Sequence, residues 1–245
     1  MNYIGGKFRQ GKTISKVVRR VLNSDSIYIE PFCGAMGSAS NVDHSKMWLF
    51  DFNPQLIRMW NEIIFNEVEL PDVISQETYD ELKKNKNDPN CDWLTTYVGF
   101  GMSFGGKWFG GYARNGVGTN YALNLKRSTL LKRSTLLGNN KELVIGCASY
   151  NQLVIPENSV VYCDPPYKGR TPQKSGNAFD HDKFWNWVRR QEVPILVSEF
   201  VYPHDFVVVH NFGDTVVRHN KSKGKDGTNE VLVCHESQLN IWSNK

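Results

Sequence analysis

The chain has 245 residues, is 40% hydrophobic and carries 29 Lys and Arg against 25 Asp and Glu. That is enough for one large α/β domain with a small insert, or for two modest domains. No run of about 18 apolar residues is present to cross a membrane, and the opening residues lack the apolar centre of a secretory signal. Five scattered cysteines, odd in number and without a C-x-x-C pair, argue against a disulfide framework or a zinc site and suit a reducing cytosol.

In chain order, residues 7–22 read as an amphipathic helix with Ile14, Val17, Val18, Val21 and Leu22 on one face. Residues 26–30 make a short apolar strand, after which Pro31, Gly34 and Gly37 turn the chain and small residues open a helix. The scheme repeats when a strand ends at Asp51, Asn53 and Pro54 form a turn, and a helix begins around Gln55. Further strands are expected at 143–147, 160–163, 195–198, 206–210 and 230–234, with a helix over 180–191. Such alternation predicts an α/β fold: a mostly parallel sheet covered by helices on both faces, its last strands forming an antiparallel edge hairpin.

Residues 66–140 break the alternation. A glycine- and aromatic-rich stretch containing Trp108, Phe109 and Tyr112 leads into a tandem hexamer, KRSTLLKRSTLL, from Lys126 to Leu137. Two copies are too few for a solenoid, and on a helix the leucines at 130, 131, 136 and 137 are expected near one face, beside basic residues. We read the segment as an insert, not a second core. No acid occurs between Asp92 and Glu142, and basic groups also cluster before Asp25 and at Lys221, Lys223 and Lys225. Three such clusters favour a polyanionic partner over solvated faces.

Two places carry chemistry. The turn containing Gly34 and Gly37 has the pattern of a first strand-to-helix turn that holds a nucleotide, although G-x-G-x-x-G is absent. Asp51, at the end of the second strand, is placed either to accept hydrogen bonds from ribose hydroxyls or to cap the next helix. Phe32 is equally suited to pack on a cofactor's adenine ring or to join the core. The second place is Val160 to Gly169, VVYCDPPYKG, where a strand runs into an acid, two prolines and a tyrosine. Proline cannot donate to the sheet, so the strand stops there on a stiff corner. The histidines show no metal spacing, and no serine elbow or paired carboxylates suggest hydrolysis.

The blocks YIGGK at residues 3–7, EPFCGAMGS at 30–38, DFN at 51–53 and DPPY at 164–167 stand in the order found in DNA adenine N6-methyltransferases, and the chain resembles that family across nearly its whole length. The resemblance implies a Rossmann-like catalytic domain over 1–65 and 141–245 that binds S-adenosylmethionine, interrupted by a DNA target-recognition region over 66–140. It implies that Asp164 and the Pro165 carbonyl accept the two N–H bonds of a flipped-out adenine amine, that Pro166 stiffens the corner, and that the Tyr167 ring stacks on the base. The cofactor residues it implies are Tyr3, Lys7, Phe32, Gly34, Asp51 and Asp164. Lys107, Lys126, Arg127, Lys132 and Arg133 are expected on phosphates, Arg114 and Asn115 are suited to read G and A, and the aromatics of the glycine stretch either wedge the gap left by the base or pack the insert. No metal is called for. Double-stranded DNA is the implied partner, a cognate restriction endonuclease a candidate one, and the cytoplasm of a bacterial cell or phage-infected host the implied location.

One departure stands out: Met36 occupies the position where the family's second turn glycine is expected. Either the loop is one residue longer or Met36 borders the methionine end of the cofactor. The departure leaves a competing reading open, a catalytically weak or inactive DNA- or cofactor-binding member of the fold with a regulatory or protective role. RNA or cytosine N4 as substrate would use the same chemistry, and the order of the blocks favours adenine.

Overall fold

In the computed structural model, residues 6–113, 120–139, 142–168, 179–213 and 229–243 are described. The elements follow one another as α1 (Gly11–Val18), β1 (Ile27–Glu30), β2 (Lys46–Asp51), α2 (Pro54–Ile64), α3 (Gln76–Lys84), α4 (Trp93–Gly101) and α5 (Tyr121–Asn139). After them come β3 (Glu142–Cys147), β4 (Ser159–Cys163), α6 (His181–Arg189), β5 (Ile195–Glu199), β6 (Phe206–Asn211), β7 (Val231–His235) and α7 (Leu239–Ser243). The strands form a seven-stranded sheet in the order β3-β2-β1-β4-β5-β7-β6. The first five are parallel, and β7 inserts antiparallel between β5 and β6. The α/β class and the mostly parallel sheet follow the sequence expectation, and the edge hairpin of β6 and β7 is present with β7 as its inner strand.

The central strands read as continuous apolar runs because both faces are covered. In β4, Val160 and Tyr162 face one core with Met47, Leu49 and Leu196, while Val161 and Cys163 face the other with Ile195, Val197 and Val233. On the first face pack Ile14, Val17 and Val18 of α1 and the apolar side of α2, and the same cluster continues into Tyr79, Tyr97, Leu125 and Leu136 of α3, α4 and α5. On the second face lie Phe184, Trp185 and Val188 of α6. Fully burying one such side chain contributes about 1.5–3 kcal/mol.

Local chemistry sets the helix starts. Asn53 caps α2 by accepting from the amides of Gln55 and Leu56, with Pro54 in the first turn. Ser75, Asp92 and Asp180 cap α3, α4 and α6 in the same way, each cap being worth about 1 kcal/mol. Two elements are shorter than the pattern suggests. Helix α1 covers Gly11–Val18 in place of residues 7–22: Lys7 lies before it with its side chain committed to Asp164, and beyond it the amides of Arg20 and Val21 bond only three residues back, to Val17 and Val18. After the glycine turn there is only a 3₁₀ turn, Ala39–Asn41. There the Ser38 hydroxyl is given to Glu30 and the Asn41 amide to the Gly37 carbonyl, so side chains compete with helix growth.

The tandem hexamer is helical but does not present its leucines together. Leu136 is buried, whereas Leu130, Leu131 and Leu137 are exposed. Six residues advance a helix by about 600°, which leaves the second copy rotated by about 120° from the first. The buried stripe is instead Ala122, Leu125, Thr129, Lys132 and Leu136.

The glycine turn lies against the N-terminal segment. A Cβ at Gly37 would stand 2.9 Å from the Lys7 amide nitrogen and 3.0 Å from that of Phe8. Neither backbone atom can yield as a side-chain tip would. Gly37→Ala is therefore expected to lower unfolding free energy by about 1–3 kcal/mol, read as a shift in the urea midpoint at unchanged m-value.

Candidate active site

The chain builds β1, β2 and β3 outward and then returns to place β4 beside β1, so the strand order reverses between β1 and β4. In open α/β sheets ligands bind at this reversal, beyond the carboxyl ends of the strands. Glu30 ends β1, Asp51 ends β2, Asp164 follows β4 and Glu199 ends β5. Because β7 runs the other way, Val231 at its start pairs with Glu199, and the residue before it, Glu230, reaches the same edge.

Lys7 sits at the centre with its side chain 4% exposed. Its ammonium donates to Asp164 Oδ1 at 2.6 Å and lies 3.3 Å from Glu230 Oε1. It also donates to the Tyr167 hydroxyl and stands 4.8 Å from the centre of that ring. The Tyr167 hydroxyl lies 2.9 Å from Asp164 Oδ1 and 2.8 Å from Glu230 Oε1. Having one proton, it donates to one of the two at a time. Gln10 Nε2 donates to the other Glu230 oxygen at 3.2 Å. Burial pushes the Lys7 ammonium down, but the two carboxylates outweigh it and hold it above the ordinary lysine range. Burial likewise raises the Asp164 carboxyl, with Lys7 pulling against it. The corner that ends β4 thus keeps a carboxylate and a tyrosine locked around one cation. Phe200 packs edge-on to the Tyr167 ring, 5.0 Å between centres.

The glycine turn is held from the neighbouring strand. Asp51 Oδ2 accepts the Gly34 amide at 3.0 Å and Oδ1 the Asn53 amide at 2.9 Å, so Asp51 bridges two strand-end loops while Asn53 supplies the helix cap. Burial raises the Asp51 carboxyl, and these amides offset part of that. Gly34 and Met36 both have left-handed backbones, with φ of 49° and 55°. Met36 therefore adopts the conformation that a glycine takes most cheaply, at a cost of about 1 kcal/mol or more. Its side chain is fully buried in the core.

Glu30 is 1% exposed. It accepts from the Tyr28 hydroxyl and, at 2.9 Å, from the Ser38 hydroxyl, which ties β1 to the far side of the turn. Burial pushes its pKa up to about 8. Glu199 is fully buried, accepts the Phe200 amide at 2.8 Å, and is pushed by burial to about 7.

The structure gathers Lys7, Asp164 and Tyr167 into one cluster and places Gly34 and Asp51 in direct contact. Lys7, implied as a cofactor residue, is paired with Asp164 and Glu230. Pro165 is buried and Pro166 half-buried. Phe32 stacks on Tyr150, 5.6 Å between centres, and meets Phe179 and Phe184 edge-on. Lys107 and Arg127 are exposed, whereas Lys126 pairs with Asp72 and Arg133 with Glu67. Lys132 is 4% exposed and turned inward onto the Ala35 carbonyl, away from any surface a phosphate would reach. Trp108, Phe109 and Tyr112 pack within the helical region, Trp108 against Phe100 and the other two against Tyr79. Tyr3, Arg114 and Asn115 lie outside the described residues.

Sequence reasoning missed Glu230 and Phe104. The first carried no motif, and only the antiparallel course of β7 brings it to the site. Phe104 is 76% exposed at a tight turn braced by the Ser103–Tyr112 bridge, with Gly105 and Gly106 at φ of 64° and 68°. The two glycines beside it were the available signal. Among the described residues no helix is long and apolar enough to cross a membrane.

Residues 3–93 match the profile of the D12 class N6 adenine-specific DNA methyltransferases. Two proteins named DNA adenine methylase, from Vibrio cholerae serotype O1 strains O395 and N16961, are each 25% identical over 260 residues, covering 95% of this chain and 92% of theirs. The resemblance drawn from the sequence blocks is thus borne out: the profile takes in the first three of them, and the relatives carry the likeness along nearly the whole chain.

Glu30 gives the site a pH signature. Its folded pKa lies above the ordinary 4.5, so its contribution to stability is full below about pH 4.5 and is lost as pH rises through about 8. The melting temperature of the wild-type protein should fall between pH 5 and 8. Glu30→Gln should flatten that slope, while equal slopes would mean that Glu30 does not titrate there.

Proposed function

We propose that the chain is a site-specific DNA adenine N6-methyltransferase acting on double-stranded DNA with S-adenosylmethionine as donor. The observation that carries this reading is the convergence of Lys7, Asp164, Tyr167 and Glu230 at the point where the strand order reverses, on the same edge as the Gly34–Asp51 contact. The exocyclic amine of adenine is a weak nucleophile because its lone pair is delocalised into the ring. Its methylation calls for orientation and fixed acceptors more than for acid or base.

Asp164 supplies a carboxylate on a corner stiffened by Pro165 and Pro166, and the Pro165 carbonyl is the second acceptor. Tyr167, anchored by its hydroxyl to Asp164 and Glu230, offers its ring to the extruded base. The Lys7 ammonium stands within hydrogen-bond reach of Asp164 Oδ1, where it serves as the stand-in for an amine donor. Admission of the base shifts Lys7 toward Glu230 and frees that oxygen.

The donor residues suit the cofactor. Asp51 accepts the Gly34 and Asn53 amides, with the Phe52 amide also beside it; a carboxylate's roughly four acceptor sites still leave one for a ribose hydroxyl, and Gly34 has no side chain to obstruct the approach. When bound, S-adenosylmethionine supplies an electrophilic methyl on a sulfonium that leaves neutral. Residues 66–140 form the target-recognition region, with Lys107 and Arg127 exposed for phosphates. Lys126 and Arg133 become available once Asp72 and Glu67 release them, and the exposed Phe104 is the side chain we assign to the stack left by the base. A DNA substrate puts the protein in a bacterial or phage-infected cytoplasm, and a cognate endonuclease is a fitting partner.

Transfer of labelled methyl from the cofactor to unmethylated DNA tests the reading. Asp164→Ala should melt at a lower temperature, because Lys7 loses a buried partner, yet remain folded at about 25 °C and lose at least about a thousandfold in turnover; wild-type turnover in that variant would overturn the assignment. If about four phosphates are neutralised, DNA affinity should fall roughly a hundredfold between 50 and 200 mM salt, and a flat response would remove the basic insert from the interface.

A further inference from the structure

The two copies of the hexamer carry lysines at equivalent places with unlike fates. Lys126 is partly exposed and pairs with Asp72 at 2.8 Å. Lys132 is 4% exposed, donates to the Ala35 carbonyl at 2.5 Å, and lies 5.9 Å from the centre of the Trp60 ring. Trp60 Nε1 donates to the preceding carbonyl, that of Gly34, at 3.0 Å. Two successive carbonyls of the glycine turn are therefore each held by a side chain from a helix, one from α2 and one from α5.

This turn is where such ties are needed. Ala35 lies between Gly34 and Met36, whose left-handed φ values of 49° and 55° make the turn costly because position 36 is a methionine and not a glycine. The amide of Gly34 is fixed by Asp51 at 3.0 Å, so amide and carbonyls alike are committed. Burial pushes the Lys132 ammonium down to about 8, the mark of a cation kept out of water with only neutral partners. Such a placement is unfavourable by itself, and methionine or leucine would fill the volume more cheaply.

We propose that Lys132 is a positioning residue for cofactor binding: reaching from the recognition helix, it holds the Ala35 carbonyl and so sets the Gly34–Met36 backbone on which the cofactor lies. The inference rests on the methyltransferase reading and deepens it. The helix that presents Arg127 to DNA also fixes the turn that receives the cofactor, so the two binding events share one rigid element.

Lys132→Met keeps the stem that covers Trp60 and removes the donor. It should raise KM and Kd for S-adenosylmethionine about tenfold or more, as expected for losing a charged hydrogen bond, with kcat and KM for DNA within about twofold of wild type. Trp60→Phe, which removes the tie to Gly34 and keeps an aromatic ring, should weaken cofactor binding about three- to tenfold. Calorimetry on the full chain reads both. A folded Lys132→Met protein with wild-type cofactor affinity overturns the inference, as does a drop in kcat without a change in KM. If Lys132→Met does not fold, unchanged affinity in Trp60→Phe overturns it instead. Failure of the wild-type chain to bind S-adenosylmethionine sinks the methyltransferase reading itself, a result distinct from all of these.

Discussion

One buried ammonium shared by two carboxylates organises this molecule. Lys7 reaches Asp164 at 2.6 Å and Glu230 at 3.3 Å, joining the N-terminal segment, the corner after β4 and the start of β7. Two carboxylates buried together repel each other and lose hydration, and a cation between them offsets both penalties. Removing one partner of such a cluster leaves an uncompensated buried charge, which typically costs about 3–5 kcal/mol. The ammonium keeps this place because the backbone around Lys7 lies flat against Gly37, with no room for a Cβ between them. Through that contact the charge cluster and the glycine turn share one support.

The sheet explains why these parts meet. Parallel strands deliver Glu30, Asp51 and Asp164 to one edge, each at the end of an apolar run buried on both sides. A further parallel strand would begin at the opposite edge. The inner antiparallel position of β7 brings Glu230 to the site by its leading end. The acids then differ by surroundings: Glu30, held by two hydroxyls, is raised to about 8 by burial, whereas Asp164 has a cation against it.

The helical region over α3 to α5 continues the first core rather than building one of its own, with Tyr79, Tyr97, Leu125 and Leu136 in the same cluster as Leu56 and Trp60. Its basic residues accordingly divide. Some face outward, as Lys107 and Arg127 do, while Lys132 turns inward to the turn beneath. Aromatic side chains divide too: Trp108, Phe109 and Tyr112 pack inside, and Phe104 is left exposed beside them.

By itself the sequence determined the strand–helix alternation, the stiff corner at Asp164–Tyr167, the glycine turn and the acid at Asp51. These are local signals: apolar periodicity, proline and glycine chemistry, and spacing along one strand or turn. It determined the family resemblance for the same reason, since the blocks that carry it are each a few residues long. Tertiary structure alone decided that Lys7 pairs with Asp164 and Glu230, that Lys132 is buried while its twin Lys126 is not, and that Met36 takes a left-handed backbone. Each of those outcomes depends on which distant element packs opposite. A six-residue repeat read on a line looks uniform, but wound on a helix of 3.6 residues per turn it shows each copy to different neighbours.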